Sequence, residues 1–369
     1  MTDPTFGDLL TGRSLAVVAG SGGVGKTTVA AALGLAAGKA LDDEGDILVL
    51  TIDPARRLAT ALGLPIDGNE VVELPLPQRS KKGPQVYAAM LDPSSAWDDM
   101  VRAEAGEEQA QRVLANPVYR RIADTFVHGN DYAALGWLDG AVASDRYRLI
   151  IVDTPPSQNA LDFFDAPQRI AEFFGSPLLG WLTGGDGTMV GGAAARTFSS
   201  LADRLLGAEF FADVVEFFQL MNEVVPGMVE RTGAVADELA SDDSAFVAVT
   251  APSADLVGRL ERLATQLAER DLGFDGVVVN GVEPDLFALD KVADVARRVI
   301  DDESSPFSQA NTALLAPGAE YVRERAHVAK AQRALLDGIP SEVVSTLPRM
   351  VNAPTSIESL LELGQRLWG

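Results

Sequence analysis

The sequence predicts an α/β fold: a mostly parallel sheet with helices on both faces, and a helical subdomain inserted into it. Three observations carry that expectation. Seven Val- and Ile-rich apolar runs recur along the chain with helical stretches between them. A glycine-rich turn, GSGGVGKTT at 20–28, joins the first run to an Ala-rich helix. Two long segments contain no convincing strand. Continuous rather than alternating apolar strands, separated by helices, are what a parallel sheet covered on both faces requires.

The first run occupies 15–19, and the helix after the turn begins near Lys26. Runs at 47–52, 86–91, 149–152, 246–250, 277–282 and 343–347 complete the expected sheet. The strand-free segments 94–145 and 167–244 read as helical, and the second includes the glycine-rich GGDGTMVGG at 184–192. Both leave and rejoin the sheet beside strand-end loops. The chain therefore divides into a core of 1–93, 146–166 and 245–369, and a helical subdomain of 94–145 and 167–244. A length of 369 residues accommodates one large domain with such an insertion.

Composition removes several function classes. The net charge of −23 leaves no basic footprint for nucleic acid. The short basic spot at Arg79, Lys81 and Lys82 reads as a solvated loop. Cysteine is absent, which excludes disulfides, iron–sulfur ligation and thiolate metal sites, so no zinc is expected. The two histidines, His128 and His327, lie far apart and read as core or solvated side chains. No apolar run approaches the roughly 18 residues of a membrane span, so an integral membrane protein is not expected. The first 20 residues lack the basic start and apolar stretch of a secretory signal, and the expected location is cytoplasmic.

The turn at 20–28 carries the chemistry. Gly20-x4-Gly25-Lys26-Thr27 fits the phosphate-loop pattern, preceded by a strand and followed by a helix as the mechanism needs. Its glycines let backbone N–H groups face phosphate oxygens, and the helix start adds its positive dipole end. Lys26 supplies a point charge to the β- and γ-phosphates, and the Thr27 hydroxyl is a ligand for Mg²⁺. Ligands of such sheets sit at the carboxyl ends of the strands. Two strands end there in carboxylates: TIDPARR in Asp53 and IIVDTPPS in Asp153. Asp153 fits the carboxylate of a Mg²⁺ shell. A guanine-reading Asn-Lys-x-Asp is missing, because VVVN is followed by Gly281-Val282-Glu283, and adenine is the expected base.

Taken together, these motifs resemble the arsenical-pump and tail-anchored-protein-targeting (guided-entry) ATPases, relatives of MinD and ParA. Beyond the phosphate loop, TIDPARRLATALG is similar to that family's first switch and MLDPSSAWDDM (90–100) to its next strand-end motif. DTPPSQNALDFFDAP (153–167) is similar to its second switch, and VVVNGV and STLPRM to its adenine-side loops. The DPARR and DTPPSQNALDF wording most resembles an actinobacterial branch of anion-transporter ATPases. The resemblance implies a Mg²⁺-dependent, ATP-hydrolysing enzyme. Gly22, Gly23, Val24, Gly25, Lys26, Thr27 and Thr28 would hold the phosphates, with Thr27 on Mg²⁺. Asp53 would position or activate the attacking water, and Asp153 would reach the metal through water. Asn280 and Pro348 would contact adenine. A nucleotide-switched dimer, with an identical or a paralogous chain, and an apolar or membrane-protein client are also implied.

Three departures alter the carry-over. The lysine that usually precedes the Gly-Gly pair, and reaches across the dimer to the partner's phosphates, is replaced by Ser21. Cysteine pairs for a zinc clamp or for arsenite have no counterpart. The first switch carries Arg56 and Arg57, and the second Gln158-Asn159, where targeting members have His-Asn and Gly-His. Arg56 or Arg57, or a lysine from a partner chain, is the candidate replacement for the missing cation. The alternative is a slow or silent ATPase that pairs with an active paralogue. The stretch 208–230 has apolar residues near 211, 214, 218, 221, 225 and 228, rich in Phe and Met. That spacing suits core packing or a client surface under nucleotide control. The amphipathic C-terminal SIESLLELGQRLWG is expected to dock on the protein's own core.

Overall fold

The computed structural model describes residues 4–42, 45–53, 57–66, 69–77, 83–119, 121, 129–155, 165–175, 208–284 and 309–369. All seven apolar runs are strands: β1 (Leu15–Ala19), β2 (Asp46–Thr51), β4 (Val86–Met90), β5 (Tyr147–Asp153), β6 (Ser244–Thr250), β7 (Gly276–Val282) and β8 (Val343–Pro348). An eighth strand, β3 (Val71–Leu74), is one the apolar-run reading missed. The sheet order is β3-β4-β2-β5-β1-β6-β7-β8. Every pairing is parallel except β3 against β4, which is antiparallel. β3 was hidden because it is a four-residue edge strand with only Leu74 buried, so it shows no apolar run.

The period of two explains why the inner strands are apolar throughout. Ala16, Val18, Ile47, Val49, Leu149 and Ile151 face one side, and Leu15, Val17, Leu48, Leu50, Ile150 and Val152 the other. The first side receives α1 (Phe6–Leu10), α2 (Lys26–Ala40), α3 (Arg57–Leu62) and the C-terminal helix. The second receives α4 (Pro93–Glu104), α5 (Glu107–Ala115), α6 (Gly129–Ala143), α7 (Ala166–Phe174) and α8 (Ala208–Leu239). α9 (Leu256–Ala268) and α10 (Gln309–Leu336) pack beside β6, β7 and β8. The C-terminal helix, α11 (Ile357–Trp368), opens with a Ser356–Ser359 capping box. It buries Ile357, Leu360, Leu361, Leu363 and Leu367, the docking its amphipathic pattern anticipated.

Helix α2 is buried almost all round, which its alanines and glycines permit. A Cβ at Gly34 would run into Val49 of the sheet, and one at Gly364 into the Ala32 carbonyl. These two glycines set how closely α2 approaches the sheet and α11. That closeness fixes the helix whose first turn faces the candidate site.

Of the two readings of 208–230, the described residues bear out core packing. Phe218, Met221, Val225 and Met228 are buried, and Val214 packs against the same cluster. Phe173 and Phe174 of α7 cover Phe218 at centroid distances of 6.1 and 5.9 Å, and Tyr119 meets Phe217 at 6.5 Å. Helical periodicity marks a covered face, and here the cover is supplied by the protein's own helices. The glycine-rich 184–192 lies outside the described residues.

Gly364→Val should lower the unfolding free energy by about 1–3 kcal/mol or more, because the helix pair cannot separate without opening the core. Gly233→Ala, inside α8 with no described residue within 4 Å of its Cβ position, should raise it by about 1 kcal/mol. Urea titrations of the two variants would check both signs.

Candidate nucleotide-binding and hydrolysis site

The turn between β1 and α2 is moulded by its neighbours in the sheet. Gly20 has φ +157°, and a Cβ there would strike the Val249 carbonyl of β6. Gly25, the N-cap of α2, has φ +96°, and its Cβ position is taken by the Asn280 amide of β7. Ser21, Gly22 and Gly23 form an exposed rim, whereas Val24, Lys26 and Thr27 are buried beneath it. No side chain caps the N terminus of α2, so its first-turn N–H groups and dipole face the loop.

Lys26 is only 5% exposed, and its Nζ donates to the carbonyls of Gly20 at 2.9 Å and Ser21 at 3.2 Å. Burial pulls the ammonium pKa down, and the charges of Asp153 and Asp53 pull it back up. The lysine therefore rests on neutral carbonyls, weaker partners than phosphate oxygens.

Asp153 is fully buried at the end of β5. Its Oδ2 accepts from Thr27 Oγ1 at 2.6 Å and Thr51 Oγ1 at 2.9 Å, while Oδ1 is buried with no hydrogen-bond partner among the described residues. Burial pushes its pKa up to about 6. The two hydroxyls and Lys26 act against that rise, and Asp53 adds to it. An unpartnered carboxylate oxygen beside the phosphate-loop threonine fits Mg²⁺ held through water by Asp153 and directly by Thr27.

Asp53, 5% exposed, follows β2. Its amide donates to Thr51 Oγ1 at 3.2 Å, and its Oδ2 lies 3.0 Å from Arg57 Nη1. The Arg57 side chain is half-exposed, so it can move without disturbing the core. Arg56 and Gln158-Asn159 lie outside the described residues.

Asn280 and Pro348 lie near the ends of the paired strands β7 and β8, where Asn280 is in register with Leu347, Val282 with Pro348, and the Arg349 amide donates to the Val282 carbonyl at 2.8 Å. Asn280 Nδ2 donates to the Val24 carbonyl at 2.8 Å, so this side chain clasps the phosphate loop. Its Oδ1 is then the group of that side chain able to accept from an adenine amino group. Two residues escaped the sequence reading. Thr51 joins Asp153 to the Asp53 backbone, and its signal was a hydroxyl directly after the apolar Ile47-Leu48-Val49-Leu50. Glu283, 6% exposed, pairs with Arg325 of α10 and lies 3.4 Å from Arg349. Its amide donates to Gln332 Oε1 at 2.8 Å, which holds the loop after β7 against α10.

A mostly parallel sheet with a phosphate loop after β1, a threonine-bound carboxylate at the end of β5 and a second acid after β2 defines the class of phosphate-loop nucleotide hydrolases. The chain belongs to the anion-transporting ATPase family, whose sequence pattern matches residues 14–312. It is 28% identical to the "Putative arsenical pump-driving ATPase" of Halobacterium salinarum over 309 residues, 79% of this chain and 38% of that protein. It is 29% identical to the ATPase GET3 of Malassezia globosa over 169 residues, 44% of this chain and 46% of the relative. It is 25% identical to the ATPase ARSA2 of Chlamydomonas reinhardtii over 293 residues, 76% and 72% of the two chains. The chain thus spans less than half the length of the first two relatives.

The raised pKa makes Asp153 a stability cost with a defined pH window. The fold binds this proton more tightly than the unfolded chain does. Its stabilising contribution therefore falls as pH rises from the ordinary 3.8 through about 6, and the full cost, about 3 kcal/mol, is present above that. Asp153→Asn should raise the melting temperature of the ligand-free protein near pH 8, and the gain should shrink towards about pH 4. An equal gain at both pH values in calorimetric melts would contradict the assignment.

Proposed function

We propose that this chain is a cytoplasmic, Mg²⁺-dependent ATP hydrolase whose nucleotide state switches a dimer, homomeric or with a paralogous chain, that handles an apolar or membrane-protein client. The observation that carries the catalytic part is the buried Asp153 carboxylate. Two threonine hydroxyls hold one of its oxygens, and the other is buried with no hydrogen-bond partner among the described residues. The dimer, the client and the location rest on the resemblance to targeting and pump ATPases.

The chain's own groups divide the work. The loop amides from Gly22 to Thr28 and the dipole of α2 bind the triphosphate. Lys26 exchanges the Gly20 and Ser21 carbonyls for β- and γ-phosphate oxygens. Thr27 and Asp153 hold Mg²⁺, which when bound neutralises phosphate charge. Asn280 Oδ1 and the Pro348 edge receive adenine. Asp53 orients the attacking water and accepts its proton. Arg57, paired with Asp53, is close enough in sequence and free enough in side chain to swing to the transferring phosphoryl. That motion would unmask Asp53 and supply the cation that Ser21 cannot.

Ser21 favours a second reading, a catalytically weak nucleotide-binding subunit that pairs with an active paralogue. The family description also admits an energising subunit of an anion transporter. Thiolate coordination of arsenite has no cysteine to use.

The test is ATP turnover by the purified chain at several protein concentrations, with Lys26→Ala as the blank. Turnover per chain should rise with concentration and vanish in the blank. Arg57→Ala should lower it by roughly a thousandfold if its guanidinium meets the phosphoryl group. ATP binding without turnover above the blank would favour the partner-dependent subunit instead.

A further inference from the structure

Thr51 ends β2, only 1% exposed, after the apolar Ile47-Leu48-Val49-Leu50. A valine would match its volume and branching there without burying a hydroxyl. The hydroxyl is present, and both of its links go to acids of the candidate site. Its one proton is donated to Asp153 Oδ2 at 2.9 Å, and its oxygen accepts from the Asp53 amide at 3.2 Å. The backbone reinforces the link: Thr51 is in register with Asp153 across the β2–β5 pairing, and the Ile52 amide donates to the Asp153 carbonyl at 3.0 Å.

We propose that Thr51 is a positioning residue that couples the orientation of the Asp153 carboxylate to the main chain of Asp53 through a single hydroxyl. This rests on the ATPase reading of the same site and adds a residue to it. Of the two hydroxyls on Asp153 Oδ2, Thr27 belongs to the phosphate loop and is expected to serve a ligand. Thr51 belongs to the sheet, and among the described residues its hydroxyl links only the Asp153 carboxylate and the Asp53 main chain. It therefore keeps Asp153 aligned when the Thr27 hydroxyl is engaged elsewhere, and holds Asp53 at a fixed distance from that carboxylate. A displacement of about 1 Å between groups that act together costs on the order of 10²-fold in rate.

The test compares Thr51→Val, which keeps the shape, with Thr51→Ser, which keeps the hydroxyl, in the full-length chain. Hydrogen exchange at the Ile52 and Asp53 amides of the ligand-free protein is the first readout. Exchange at Asp53 should quicken about tenfold or more in Thr51→Val and return towards wild type in Thr51→Ser, because only Val removes the acceptor. Calorimetric binding of ADP should change by less than about threefold in both. Turnover should fall tenfold or more in kcat for Thr51→Val, with KM nearly unchanged, and recover in Thr51→Ser. Wild-type exchange and wild-type kcat in Thr51→Val would overturn the proposal. Absence of turnover in the wild type itself would sink the ATPase reading alone, since the exchange comparison still decides whether Thr51 positions Asp53. Should Thr51→Val fail to fold, Thr51→Ala is read in its place with the same two outcomes.

Discussion

A carboxylate taken out of water must be compensated where it sits, and the burial of Asp153 is the constraint on which the rest of this site depends. Desolvation on this scale is tolerated only with hydrogen bonds and a nearby cation. Lys26 and Thr27 supply them from the segment that follows β1, and Thr51 from the end of β2. The strand order makes this possible: β5 lies between β2 and β1, so segments distant in sequence end side by side. A second negative charge, Asp53, is placed close enough to oppose Asp153 ionisation, and Arg57 lies against it. Among the described residues the site balances two acids against two cations, with Lys26 donating to backbone carbonyls.

That balance fits an enzyme that works on an anion. Bringing phosphate oxygens to the loop would give Lys26 stronger partners than carbonyls and give the first-turn amides of α2 an acceptor. The same rearrangement alters which groups Asp153 and Asp53 face. The neighbouring strands keep the cradle fixed meanwhile. Gly20 lies against the Val249 carbonyl and Asn280 clasps the Val24 carbonyl, so β6 and β7 brace the loop that β1 presents. A cradle that cannot collapse holds its amides pre-aimed, the condition for electrostatic stabilisation at low reorganisation cost.

Much of this was legible in the sequence, and the exceptions share a cause. The inner strands show as apolar runs because each divides its side chains between two buried faces, and the edge strand β8 shows through Val343, Val344 and Leu347. β3 does not, because at the edge only one of its residues is buried. The phosphate loop with Lys26 and Thr27 was legible because its spacing along the chain is itself the pattern, and Asp53 and Asp153 because each follows an apolar run. Thr51 and the clasp of Asn280 on Val24 were not, since each is defined by register between segments 102 and 256 residues apart. The Phe/Met face of α8 was legible as apolar but not as core or surface, because a period of 3.6 records that a face is covered and not by what. Its cover, Phe173, Phe174 and Tyr119, belongs to helices that no local pattern ties to it.

The central claim is that the carbonyl-bound Lys26 and the unpartnered Asp153 oxygen are the two halves of a Mg²⁺–triphosphate site. The most direct measurement is a crystal structure of the chain with Mg²⁺ and a non-hydrolysable ATP analogue. The account predicts that Lys26 Nζ leaves the Gly20 and Ser21 carbonyls for phosphate oxygens, and that Asp153 Oδ1 gains a metal-bound water. A nucleotide bound with Lys26 still on those carbonyls and Oδ1 still without a partner would contradict it.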